Sequence, residues 1–231
     1  MTDNKINSAS AVSDGILLID KEQEWTSFDV VAKLRNVLHI KKIGHAGTLD
    51  PMATGLLIIL IGRATKLCEQ LTGHDKEYIA EMTLGIVTDT QDIWGNVLER
   101  NSADDLTDCD ILKTVNSFKG EITQLPPMYS AIKVKGERLY NIARRGEEVE
   151  RKPRKVNIFD ITVLARDKEK VTMKINCSSG TYIRTLCHDI GIKLGCGACM
   201  SSLRRTRIGD FLISDAHKVS DISDYNFVIN I

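Results

Sequence analysis

Six consecutive apolar residues, Leu56-Leu57-Ile58-Ile59-Leu60-Ile61, leave this chain few ways to fold. A run of that length reads as a buried strand, and whatever precedes it stands at the strand's mouth. The preceding segment is glycine-rich: Gly44-His45-Ala46-Gly47-Thr48-Leu49-Asp50-Pro51, then Ala53-Thr54-Gly55. Glycine admits backbone conformations closed to other residues and lets a large ligand approach the chain closely. Pro51 fixes its own φ and biases Asp50 toward an extended conformation. Asp50 is therefore the first candidate for a functional carboxylate. On spacing alone such a segment is more often a plain turn, and it lacks the G-x-x-x-x-G-K-[ST] phosphate cradle.

The rest of the chain mixes strand and helix signals without an internal repeat. Residues 15–20 predict a strand. Thr26 or Ser27 caps a helix reaching about His39, with Phe28, Val31, Leu34 and Leu38 on one face. Residues 64–71 predict a short helix, and residues 77–84 a half-buried strand in which Tyr78, Ala80, Met82 and Leu84 alternate. Thr107 caps a helix ending near Phe118. Strands follow at 121–125 and, past Pro126-Pro127, at 129–134, then a short helix at 139–145 stopped by Gly146. Residues 156–164 and 171–177 read as paired strands, 181–194 as a helix, and two short strands near 198–203 and 207–213 close the core. Hairpin-like neighbours outnumber βαβ units. The expected class is α+β, a mostly antiparallel mixed sheet flanked by helices.

Composition narrows the function classes. With 231 residues, 42% apolar and 27% charged, the chain suits an ordinary globule needing no disulfide or metal staple. No apolar run approaches the ~18 residues of a spanning helix, so no membrane span is expected. Residues 1–13 are polar, lack an apolar signal core and read as a loose tail. Six irregularly spaced cysteines suggest reduced thiols in a cytosolic protein. Cys196-x-x-Cys199 has no second pair at metal spacing, so no metal site is expected. Net charge is zero, yet residues 133–155 hold nine bases and four acids, while residues 75–110 hold ten acids and two bases. Such separation gives a basic side and an acidic side, for which a solvated charged face is the default reading, and charge alone suggests no partner. Residues 126–155, basic and glycine-punctuated, read as a mobile insertion.

The G-H-A-G-T-L-D-P-x-A-T-G run resembles the signature of the TruB-type tRNA pseudouridine synthases, which isomerise uridine 55 in the T arm of tRNA. The likeness continues through Gly15-Ile16-Leu17-Leu18-Ile19-Asp20-Lys21, Thr26-Ser27, Asp75-Lys76-Glu77-Tyr78 and Thr88-Asp89-Thr90-Gln91-Asp92. It extends through Pro127-Met128-Tyr129-Ser130-Ala131, Gly180-Thr181-Tyr182-Ile183-Arg184-Thr185, Leu194-Gly195-Cys196-Gly197-Ala198 and Leu203-Arg204-Arg205. The resemblance implies the pseudouridine synthase catalytic fold over residues 14–231, with a cleft crossing the sheet and the 126–155 insertion pinching the RNA stem-loop. It implies tRNA as partner, no cofactor, no obligate protein partner, a monomer and a cytoplasmic enzyme.

The resemblance also assigns roles. Asp50 matches the catalytic aspartate, attacking either the uracil or C1′ of the ribose. Arg184 matches its arginine partner, and a carboxylate beside a guanidinium is held in its charged, nucleophilic form. Tyr78 matches the tyrosine stacked on the flipped uracil, and its hydroxyl is a candidate for removing the C5 proton. His45 matches the histidine that fills the stack where the base has left. Tyr182 is expected near the pocket, Leu203 as an apolar wall and Lys21 near the cleft. Arg204, Arg205 and Arg207 are candidate phosphate contacts.

Two departures stand out. The family's opening loop commonly carries Lys-Pro and a glycine, where this chain has Lys21-Glu22-Gln23-Glu24-Trp25. Many bacterial relatives also continue into a PUA-type RNA-binding domain, whereas only about 18 residues follow Ile213, so none is expected here. The rival readings are an RNA-binding or RNA-folding protein, a related synthase acting on another RNA, and, more remotely, a hydrolase using Asp50.

Overall fold

The structure, a computed structural model, describes residues 14–130, 132–134 and 136–230. The tail expected at residues 1–13 lies outside these. Chain order begins with strand β1 (Gly15–Lys21) and helix α1 (Ser27–Val37). Thr26 caps α1 reciprocally: its hydroxyl accepts from the Asp29 N–H while the Asp29 carboxylate accepts from the Thr26 N–H. Of the expected face of α1, Val31, Leu34 and Leu38 are buried, joined by Ser27 and Val30, whereas Phe28 is 65% exposed because the helix turns Ser27 inward to bond the next loop.

β2 (Ile43–Ala46) follows, pairing antiparallel with β3 (Thr54–Ile61). The front of the glycine-rich segment is thus strand, and only about Gly47–Ala53 is loop. The apolar run of β3 is buried throughout, as a strand covered on both faces requires. A 3₁₀ turn (Gly62–Leu67) and helix α2 (Cys68–Thr72) lead to β4 (Lys76–Leu84), whose burial alternates residue by residue. The hairpin β5 (Ile86–Thr88) and β6 (Val97–Arg100) stands apart from the main sheet. Helix α3 (Asp108–Asn116), capped by Thr107, precedes β7 (Gly120–Gln124).

Among its described residues the 126–155 insertion holds less strand than expected before β10 begins: the two-residue pieces β8 (Lys133–Val134) and β9 (Glu137–Arg138), then α4 (Leu139–Arg144). Too few apolar residues there can reach the core to hold a longer ladder. β10 (Arg154–Asp167) and β11 (Lys170–Cys177) form the expected hairpin. After α5 (Ile183–Leu194), the two closing strands of the sequence reading are one 11-residue strand, β12 (Ala198–Ile208). Irregularities between Met200 and Ser202 and between Arg205 and Arg207 bend it without ending it. β13 (Phe211–Leu212) and β14 (Ile229–Asn230) complete the edges.

The main sheet runs β14-β1-β3-β12-β4-β11-β10-β7, with β2 on β3 and β13 on β12. Every pairing is antiparallel except β3 with β12, joined in parallel at Arg204–Thr54 and Arg205–Gly55. The expected α+β class with a mostly antiparallel sheet is thus what the chain adopts. The parallel seam divides the sheet into halves: β12-β4-β11-β10 carries α3 and α5 over the largest core, and β1-β3 carries α1. At the seam Gly55 has φ +101°, and a Cβ there would lie 2.3 Å from the Arg205 carbonyl oxygen, so only glycine permits the approach. No helix among the described residues is long and apolar enough to cross a membrane.

Candidate active site

The seam gathers the candidate residues. Asp50 sits in the loop entering β3, Tyr78 on β4 opposite Arg205 of β12, and Arg184 on the first turn of α5. The Asp50 loop is pinned from several sides. Ser27 Oγ accepts from the Leu49 N–H at 2.9 Å and donates to the Leu49 carbonyl at 3.2 Å. Lys21, wholly buried, donates to the carbonyls of Glu22, Trp25 and Pro51, and Glu24 N–H donates to the Pro51 carbonyl at 2.8 Å. Arg205, also buried, donates to the carbonyls of Leu56 at 2.8 Å and Gly47 at 2.9 Å, with Thr48 at 3.5 Å. A loop held by this many bonds presents its carboxylate in one place.

Arg184 meets that carboxylate, its Nε lying 2.9 Å from Asp50 Oδ2. The Arg184 side chain is 5% exposed and the Asp50 side chain 39%, so the pair is buried behind the guanidinium and open at the carboxylate. The other guanidinium nitrogens are committed. Nη1 donates to the Thr90 carbonyl at 3.0 Å and lies 3.5 Å from Asp92 Oδ2, and Nη2 donates to the Tyr129 carbonyl at 2.8 Å. Burial pushes the Asp92 carboxyl pKa up, and the Arg184 charge opposes that rise. Thr90, Asp92 and Tyr129 all lie in segments that carry the resemblance, but no role was expected of them from sequence.

The surroundings of the Asp50 loop are apolar. Tyr78 and Leu203, each 8% exposed, pack in one cluster with Leu49, Met52 and Ala53. Burial raises the Tyr78 phenol pKa, with the Arg205 guanidinium opposing. Tyr182, the residue before α5, is fixed by its backbone: its N–H donates to Gln124 Oε1 and its carbonyl accepts from Gln124 Nε2. Burial raises its phenol pKa as well. His45 lies on β2, half-buried, with Nδ1 buried and without a hydrogen-bond partner. Burial, then the Arg205 charge, lowers the His45 pKa.

Two sequence expectations change. Arg205 is not available to a phosphate, being 1% exposed and spent on carbonyls of the Asp50 loop. Lys21 likewise lies near the cleft as an internal tie, and burial lowers its pKa to about 8. Arg204 stays partly exposed at 43% but grips Asp20 through both nitrogens, at 2.7 and 3.1 Å. Arg207 donates to Asn176 Oδ1 at 2.9 Å and to the Gly209 carbonyl at 3.1 Å. Away from the seam, a cavity of about 300 Å³ in the insertion is lined by Ile132, Lys133, Arg151, Lys152 and Arg154 among others.

Comparisons with known proteins place the chain in a family. Residues 35–183 match the N-terminal domain of the TruB family pseudouridylate synthases, and residues 184–230 match the tRNA pseudouridylate synthase B C-terminal domain. The chain is 51% identical to the tRNA pseudouridine synthase B of Clostridium tetani, over 92% of its own length and 74% of that protein's. It is 49% identical to the one from Endomicrobium trichonymphae, over 94% of both chains. Among solved structures, a chain of a Cbf5-Nop10-Gar1 complex superposes with a TM-score of 0.72 at 31% identity, covering 92% of this chain and 54% of that one. This chain belongs to the TruB family of tRNA pseudouridine synthases.

Proposed function

We propose that this synthase isomerises uridine 55 in the T arm of tRNA, with the Asp50 carboxylate as nucleophile. The observation that carries the reading is the Asp50–Arg184 pair, a carboxylate 39% exposed on a guanidinium 5% exposed, beside the apolar wall of Tyr78 and Leu203. Isomerisation breaks the bond from C1′ to N1 and forms one from C1′ to C5. A proton leaves C5 and one is gained at N1, so the reaction balances without an oxidant, reductant or phosphoryl donor. The chemistry needs a positioned carboxylate and fixed charge around it. Arg184 supplies both charge and aim, because its other nitrogens are already bonded and the guanidinium has no freedom to turn.

The uracil must leave the RNA stack to reach Asp50. Tyr78 provides the face on which it lies, Leu203 the opposing wall, and Tyr182 the rim. The His45 ring fills the vacated position. Arg204 and Arg207, both partly exposed, remain for phosphate contacts at the loss of their present hydrogen bonds. Residues 14–231 act in this reading as one catalytic domain, working as a monomer in the cytoplasm. The 126–155 insertion grips the stem-loop through Lys133, Lys152 and Arg154, all exposed. Asp50→Asn tests the assignment: pseudouridine formation should disappear while tRNA affinity stays within about threefold, since one rim carboxamide removes no phosphate contact. Retained turnover would remove Asp50 from the nucleophile's role.

A further inference from the structure

Gln91 has no part in the chemistry above, yet its backbone is held in the left-handed region, at φ +64°. An L-residue with a long side chain pays for that conformation, and such residues persist where their surroundings over-determine them. Here the surroundings are explicit. The Gln91 N–H donates to the Thr88 carbonyl at 3.3 Å, and the Gln91 carbonyl accepts from the Met200 N–H at 3.0 Å. The next turn is stitched to the same strand, with Ile93 N–H donating to the Met200 carbonyl at 2.9 Å. The side chain is held too: Thr185 Oγ1 donates to Gln91 Oε1 at 2.8 Å. Thr185 is 2% exposed and follows Arg184 directly on α5.

The neighbours of Gln91 explain what this fixes. Thr90 offers its carbonyl, and Asp92 its carboxylate, to the same Arg184 nitrogen, at 3.0 and 3.5 Å. Residues 89–90 form a turn and Gln91 bends the chain through the left-handed region, and from either side of that bend the Thr90 carbonyl and the Asp92 carboxylate reach one guanidinium. We infer that Gln91 is a positioning residue: its left-handed backbone and its amide clamp on Thr185 hold Thr90 and Asp92 against Arg184, and so set the aim of Arg184 on Asp50. The inference rests on the reading of Asp50 and Arg184 as the catalytic pair and adds the device that fixes their alignment.

Gln91→Gly keeps the backbone conformation and removes the clamp, whereas Thr185→Val removes the donating hydroxyl from the other side. Single-turnover pseudouridine formation on a tRNA transcript should slow by about 10- to 100-fold in each, the scale of a misaligned reacting group. tRNA affinity should stay within about threefold and the melting temperature within a few degrees, since no phosphate contact or core volume is lost. Thr185→Ser, which restores the hydroxyl, should recover most of the rate. The double variant should be little slower than the slower single one, because both act through one bond. A rate unchanged in Gln91→Gly, or one that falls only in step with melting temperature, overturns the inference while leaving the function standing if the parent protein is active. A parent protein that forms no pseudouridine overturns both.

Discussion

At the scale of single residues, the site is organised by unequal exposure. Arg184 is buried among fixed acceptors, and Asp50 turns its carboxylate to the opening. A lysine at 184 keeps a charge but lacks the fork that serves Asp50, Thr90, Asp92 and Tyr129 at once. Arg184→Lys should therefore slow single-turnover conversion by about 100-fold or more while tRNA affinity changes little. An unchanged rate would make the pair merely structural. Asp50 and Arg184 were legible in the sequence because each sits inside a recognisable motif. Asp92 was not assigned a role, since its partner lies 92 positions away and spacing carries no information over that distance. Arg205 misled for a different reason. Arginines are almost never fully buried unless paired, so the sequence pointed outward, whereas three backbone carbonyls hold this one inside.

At the scale of elements, α5 carries both Arg184, the partner of Asp50, and an unpaired carboxylate. Asp189 makes no hydrogen bond or ion pair among the described residues, and burial pushes its pKa from 3.8 up to about 6. The folded state thus holds its proton more tightly than the unfolded chain. The resulting cost is absent well below 3.8, grows as pH rises from there to about 6, and is constant above it. Asp189→Asn should raise stability by about 1 kcal/mol or more at pH 7.5, solvent screening reducing the full effect at this partly exposed group, and by much less at pH 4, as read by denaturant melts. Equal effects at both pH values would contradict this. The insertion makes a separate prediction. Lys133→Ala and Lys152→Ala should each weaken tRNA binding and lower its salt slope by about 1 if each lysine meets a phosphate. An unchanged slope would make the segment a surface loop. Its charge was legible from sequence, but its strand content was not, because alternation without a core to face gives no ladder. The joining of β12 was hidden similarly: three arginines among residues 204–207 looked like a break, and the bulges that absorb them leave no sequence mark.

At the scale of the whole molecule, one sheet serves two family-model segments. Their boundary at 183–184 falls inside α5, and β12 from the second segment lies between β3 and β4 of the first. The seam where β12 meets β3 in parallel is also where Asp50, Tyr78, Leu203 and Arg205 meet, so fold and site share one irregularity. Sequence patterns predicted the sheet's class but not this seam, because pairing direction between distant strands is decided by the packing of all of them. Since the isomerisation is internally balanced, activity should persist undiminished in excess EDTA, and its loss there would require a metal-dependent step. The most direct measurement maps pseudouridine at nucleotide resolution after incubating the purified protein with an unmodified tRNA transcript and an isolated T-arm stem-loop, beside Asp50→Asn. Conversion at uridine 55 in both RNAs, absent with the variant, is the predicted result. Tight binding without conversion, or conversion that survives the loss of the Asp50 carboxylate, would contradict it.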